Sequence, residues 1–100
     1  MLNLKELNEL KKILDEKGKE LLSACEDHRK KMDEINKEYD LKAEDMSVSD
    51  DELAELEDEA FFHQEEADIL EEKVEMITDT LRSIVELEEN LFNLESLGLL

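Results

Sequence analysis

Leu7, Leu14, Leu21, His28 and Ile35 recur at seven-residue intervals, interleaved with Leu4, Lys11, Gly18, Cys25, Met32, Tyr39 and Met46. Alternating steps of three and four keep side chains on one side of an α-helix, so this pattern predicts a helical seam interrupted by polar or small residues at Lys11, Gly18 and His28. A second seam runs through Leu53, Leu56, Ala60, His63, Ala67, Leu70, Val74, Ile77, Leu81 and Ile84. Beyond Ile84 the apolar positions become Leu87, Leu91 and Leu94, which predicts a three-residue slip of phase there.

Each seam carries its own start signal. Asn3 suits an N-cap, Glu6 stands at the capping-box position, and Leu2 and Leu7 occupy the hydrophobic-staple positions; Ser49, Glu52, Val48 and Leu53 repeat the device. A turn is therefore expected at 46–49, although those residues include neither Gly nor Pro. Gly98 fits the left-handed position after a helix, with Leu94 and Leu99 placed for a Schellman contact. Helix one is predicted over about 3–45 and helix two over about 50–97, each roughly 65–70 Å long at ~1.5 Å per residue. Gly18 costs about 1 kcal/mol against Ala inside a helix, but the seven-residue phase passes through it unchanged and a continuous helix is expected. A short turn makes the helices antiparallel neighbours. The predicted fold is all-α, a long coiled-coil-like antiparallel two-helix hairpin forming one domain over 1–100.

The chain has more apolar surface than one seam hides. Leu2, Leu4, Leu7, Leu10, Ile13 and Leu14 form a wide face, and Ile84, Val85, Leu87, Leu91, Phe92, Leu94, Leu97, Leu99 and Leu100 form another, which antiparallel pairing brings to the same end. For this end face self-association is expected, two hairpins closing into a four-helix bundle through Leu4, Leu7, Leu10, Leu14, Ile84, Leu87, Leu91, Phe92 and Leu94, with docking of a different protein as the alternative. A third patch, Phe62, Ile69 and Met76 with Phe61 beside them, repeats every seven residues away from the seam; it suits either a second copy or a groove on a different protein.

Composition agrees with long helices: 43% of residues are charged, Pro and Trp are absent and there are two Gly. The net charge of -19 repels nucleic acid and anionic lipid and calls for a basic partner. The charge is uneven. Residues 1–50 carry 10 basic and 14 acidic side chains, whereas 51–100 carry 2 and 17. Helix one compensates itself through acid-first spacings of four at Asp15 and Lys19, Glu26 and Lys30, Asp27 and Lys31, Asp33 and Lys37, and Glu38 and Lys42. In helix two, twelve carboxylates precede the first basic residue, Lys73. They fall at about one per 2.8 Å of helix axis, against roughly one per 3.4 Å on a DNA strand. That density suggests nucleic-acid mimicry; a merely solvated acidic face is the plainer reading.

Candidate chemistry is thin. Asp45, Ser47, Ser49 and Asp51 have the odd-numbered spacing of a calcium loop, but Asp50 stands where its Gly belongs and Leu56 where its closing Glu belongs. Cys25 and His28 lie one turn apart as two zinc ligands can, without a second such pair, and the antiparallel register expected here sets His63 nearer Met32 than Cys25. Asp51, Glu52 and Glu55 followed by Glu65, Glu66 and Asp68 resemble the carboxylate pattern of all-helical magnesium-dependent nucleotide pyrophosphohydrolases. In that family the two elements sit on separate helices across a metal site; here they share one helix and converge only if the chain breaks near Phe61. No cofactor, metal or membrane contact is expected. A lone Cys25 and the absence of a leader or spanning segment suggest a cytoplasmic protein.

The expected function is a non-enzymatic protein-interaction module that regulates or inhibits a partner by occupying its basic, nucleic-acid-binding surface, as small acidic phage-encoded inhibitors of host machinery do by analogy. The residues expected to carry it are Glu55, Asp58, Glu59, Phe61, Phe62, Glu65, Glu66, Asp68, Ile69, Glu72 and Met76. The alternatives are a coiled-coil assembly scaffold or holding chaperone and, more remotely, the pyrophosphohydrolase.

Overall fold

The structure, a computed structural model, describes residues 3–100. Two helices, α1 (Leu4–Ala43) and α2 (Asp50–Ser96), lie antiparallel in a rod of 78 × 17 × 15 Å. The hairpin predicted from the two seams is the fold.

Both N-caps form as their sequences dictate. Asn3 Oδ1 accepts the Glu6 N–H at 2.9 Å, and Ser49 Oγ accepts the Glu52 N–H at 3.2 Å, each satisfying an amide that has no partner within its helix. The Leu2 half of the first staple lies outside the described residues. At the far end Gly98 has φ 72°, the Leu99 N–H donates to Leu94 O at 2.9 Å and the Gly98 N–H to Glu95 O at 3.0 Å. This is the full Schellman pair.

α1 stops at Ala43, two residues earlier than the sequence pattern suggests. The cause is Asp45. Its Oδ1 accepts from both the Ser47 hydroxyl (2.7 Å) and the Ser47 N–H (2.9 Å), and the Val48 N–H donates to Asp45 O at 3.2 Å, so side chain and backbone close a turn in place of another helical one. Those bonds, the hydroxyl first and then the amide, hold the Asp45 carboxyl below its ordinary range. Met46, assigned to the seam by periodicity, is instead fully exposed at 102%.

Along the seam Leu7, Cys25, Ala67 and Ile84 are buried, and the remaining seam positions from Lys11 to Tyr39 and from Leu53 to Leu81 are half-buried. α1 runs unbroken through Gly18, where an added Cβ would stand 3.4 Å from Ile77 Cγ2. The phase slip expected after Ile84 does not occur. Glu88 and Leu91 continue the three-and-four step half-buried, while Leu87 and Leu94 are exposed. The reason is opposite charge across the seam: Lys11 Nζ lies 3.1 Å from Glu88 Oε2, so a polar interruption in one helix meets one in the other.

Candidate interaction surface

The helical turn sets which α2 side chains share a row. Phe62, Ile69 and Met76 each follow a seam residue by two positions, about 200° around the axis, and are 53%, 47% and 72% exposed. On one side of this apolar row run Asp58, Glu65, Glu72, Asp79 and Glu86, all at the same heptad position; on the other run Glu59, Glu66 and Lys73. Phe61 projects from a third row and is also exposed. Phe62 is not loose: its ring meets His63 edge-on at 5.3 Å and His28 at 6.4 Å. A large aromatic is thus seated on the hairpin while most of its surface remains in water.

α1 neutralises little of this acidity. Arg29 Nη2 reaches Asp68 Oδ1 at 2.9 Å and Glu71 Oε2 at 3.0 Å, and the Lys11 pair takes Glu88. Arg82 lies 3.6 Å from Asp79. Glu55, Asp58, Glu59, Glu65, Glu66 and Glu72 make no ion pair among the described residues. Of the five spacings expected to compensate α1, Asp15 with Lys19 (3.2 Å) and Glu38 with Lys42 (3.1 Å) form, joined by Lys17 with Glu20 at 3.5 Å. Like charges three and four apart along α2 therefore face solvent without relief.

The structure brings most of the residues predicted from sequence to one side of α2, with Glu66 at its edge and Asp68 drawn away from it. Asp68 is tied to Arg29, and Glu66 is half-buried beside the seam. At the end of the rod, Leu7 and Ile84 are consumed by the hairpin's own seam and do not face outward; Leu10, Leu14 and Leu91 are half-buried. Leu4, Leu87, Phe92 and Leu94 remain exposed there, with Val85, Leu97, Leu99 and Leu100.

Periodicity alone missed the cross-seam pairs. His63 Nδ1 lies 2.8 Å from His28 Nδ1; one ring must donate and the other accept. The Cys25 thiol donates to Ala67 O at 3.4 Å. Lys11, Gly18 and His28 were visible as interruptions, and pairing them with Glu88, Ile77 and His63 needed only the correct register. Among the described residues no three His, Cys, Asp or Glu side chains are placed to hold a metal ion. The carboxylates that resemble a pyrophosphohydrolase pattern lie on one continuous helix, which does not break near Phe61. No described helix is long and apolar enough to cross a membrane.

Comparison with protein-family models, with curated proteins and with solved structures finds no match.

Proposed function

We propose that this acidic hairpin is a non-enzymatic interaction module, which binds a partner protein through the outward face of α2 and regulates or inhibits it by covering a basic, nucleic-acid-binding surface. The observation that carries this reading is the pairing of an uncompensated carboxylate field with a seated, exposed apolar row at Phe62, Ile69 and Met76. A solvated face needs no such row, and an apolar patch of this kind marks a surface that is covered in use. A free thiol at Cys25 and a partner that handles nucleic acid both suit the cytoplasm.

Salt tests the reading. A complex captured from the native host at low ionic strength should dissociate between low and physiological salt, and reversing Asp58, Glu65 and Glu72 to Lys should abolish capture while leaving the helical circular dichroism intact. Those three make no ion pair within the hairpin, so the change is confined to the surface. Capture indifferent to salt and to the reversal would sink the proposal.

A second reading, a homodimer or larger scaffold, is favoured by Leu4, Leu87, Phe92 and Leu94 lying exposed at one end of the rod. Light scattering over a concentration series decides it. A monomer at high micromolar concentration removes self-association, and a dimer abolished by Phe92→Ser with Leu87→Ser places it at this end.

A further inference from the structure

We infer that the partner's docking element is a basic amphipathic α-helix laid along the Phe62, Ile69 and Met76 row of α2, an inference that rests on the reading of α2 as the interaction face. The spacing comes first. On one straight helix, residues seven apart are about 10.5 Å apart, and the row from Phe62 to Met76 spans about 21 Å. A helix packing alongside meets such a row with its own apolar residues at alternating steps of three and four, as the two seams of the hairpin already do. Ridge-and-groove geometry between near-parallel helices needs no rearrangement of α2.

Charge then selects the occupant. The row is bounded on one side by Asp58, Glu65, Glu72 and Asp79 and on the other by Glu59, Glu66 and, beside Met76, Lys73. A helix seated between them carries Lys or Arg on both shoulders of its apolar stripe, which opposes the carboxylates of each row and meets a basic side chain, Lys73, at the Met76 end of the second. A second copy of this chain does not meet that description. The equivalent outward positions of α1 are Glu6, Ile13, Glu20, Asp27, Glu34 and Leu41, four carboxylates among six, and those of α2 are the acidic face itself.

A phosphate-binding groove is matched less well than a helix. The twelve carboxylates that approach the linear density of a nucleic-acid strand are spread around every face of α2 except the seam, so the outer row holds one per about 10.5 Å rather than one per ~3.4 Å. Phe62, Ile69 and Met76 have no counterpart in a phosphate backbone. The partner's basic surface is therefore a helix face.

The test uses the whole hairpin and a synthetic three-heptad peptide with Leu at the stripe positions and Lys on both shoulders. One control peptide has the same composition with the Leu positions scrambled; another carries a central Pro. Binding followed by fluorescence anisotropy at low salt should be about tenfold tighter for the parent than for either control, about 1.4 kcal/mol. The parent should gain helical dichroism on binding. Ile69→Asn with Met76→Asn, two exposed positions whose replacement leaves the seam intact, should weaken the parent by about tenfold or more and leave the scrambled peptide unchanged. If the scrambled peptide binds as tightly and the double variant changes nothing, the helix inference is overturned while the acidic face stands as the interaction surface. If no Lys peptide binds at low salt, both fall. A parent peptide that loses to a second copy of the hairpin, seen as dimers that Met76→Asn dissociates, also overturns it.

Discussion

Replacing Gly18 by Ala probes the packing of the two helices at Ile77 with the smallest possible change. Gly18 lies inside an unbroken α1, and a Cβ there meets only Ile77 Cγ2, at 3.4 Å, an ordinary van der Waals contact. Two terms act in the same direction. Ala exceeds Gly in a helix interior by about 0.8–1 kcal/mol, chiefly because the unfolded chain loses freedom. The methyl also leaves water for a half-buried site, which contributes about half of the ~0.8 kcal/mol of a fully buried carbon. Stability should rise by about 1.2–1.4 kcal/mol, which at roughly 4–8 °C per kcal/mol for a chain of this size is a Tm increase of about 5–10 °C.

Thermal and urea unfolding followed by far-ultraviolet dichroism measure this directly, with an unchanged m-value showing that the same surface is exposed. The other glycine supplies the control. At Gly98 φ is 72° and nothing lies within 4 Å of an added Cβ, so Gly98→Ala suffers the left-handed backbone penalty alone and should lower stability, by up to about 1 kcal/mol. A Gly18→Ala protein that is no more stable than the parent, with its m-value intact, would show that Ile77 does not admit the methyl and that the helices approach too closely there for any side chain at 18.

Lys11→Met should cost about 1–2 kcal/mol in urea unfolding, because it leaves the half-buried Glu88 carboxylate without its partner while Glu88 Oε1 already has none; Lys11→Leu combined with Glu88→Leu should recover that loss or exceed it, and a double variant worse than the single would refute the seam assignment of Glu88. Asp45 has its carboxyl lowered by the Ser47 hydrogen bonds, so its contribution to stability is fully present above its ordinary carboxylate range and is lost as pH falls through its lowered folded value. The stability difference between the parent and Asp45→Ala should therefore be largest near neutrality and vanish in strong acid. Side-chain titration by NMR should find Asp45 below 3.8, and a value above it would refute the turn geometry.

The parts of this fold legible in the sequence are those settled locally. Asn3 and Ser49 cap helices because the amide each accepts lies three residues on, and Gly98 closes α2 because only a glycine enters the left-handed region freely; neither depends on the rest of the chain. Register is not local. Which residue of α1 faces which residue of α2 depends on the packing of both helices: His63 meets His28 and Gly18 meets Ile77, and neither pairing follows from the pattern within one helix. The misread seam after Ile84 has the same origin. Counting apolar residues favours Leu87, but Glu88 holds the seam because Lys11 stands opposite, which no pattern within α2 reveals. Phe62, Ile69 and Met76 were identifiable as exposed because they share one heptad phase off the seam. The diversion of Asp68 to Arg29 was not, since it too requires the register.

A rod only 17 × 15 Å across has little interior beyond its seam, and among the described residues Leu7, Cys25, Ala67 and Ile84 are the buried side chains. Charge on the outer face of α2 therefore bears on the stability of the seam and, on the proposed reading, on binding as well. The unrelieved carboxylates of α2 push apart in the free hairpin, and a Lys-rich or Arg-rich partner that covers Ile69 and Met76 removes that repulsion and buries apolar area together. Salt must then act with opposite signs on the two states. It screens self-repulsion, so the Tm of the free hairpin should rise between low and physiological ionic strength; it also screens attraction, so the Tm increment given by a basic partner should shrink over the same interval. A free hairpin destabilised by moderate salt would mean that the Arg29, Asp68 and Glu71 pairing and the Lys11 pair outweigh the acidic field, and the acidity of α2 would then be no reservoir for binding.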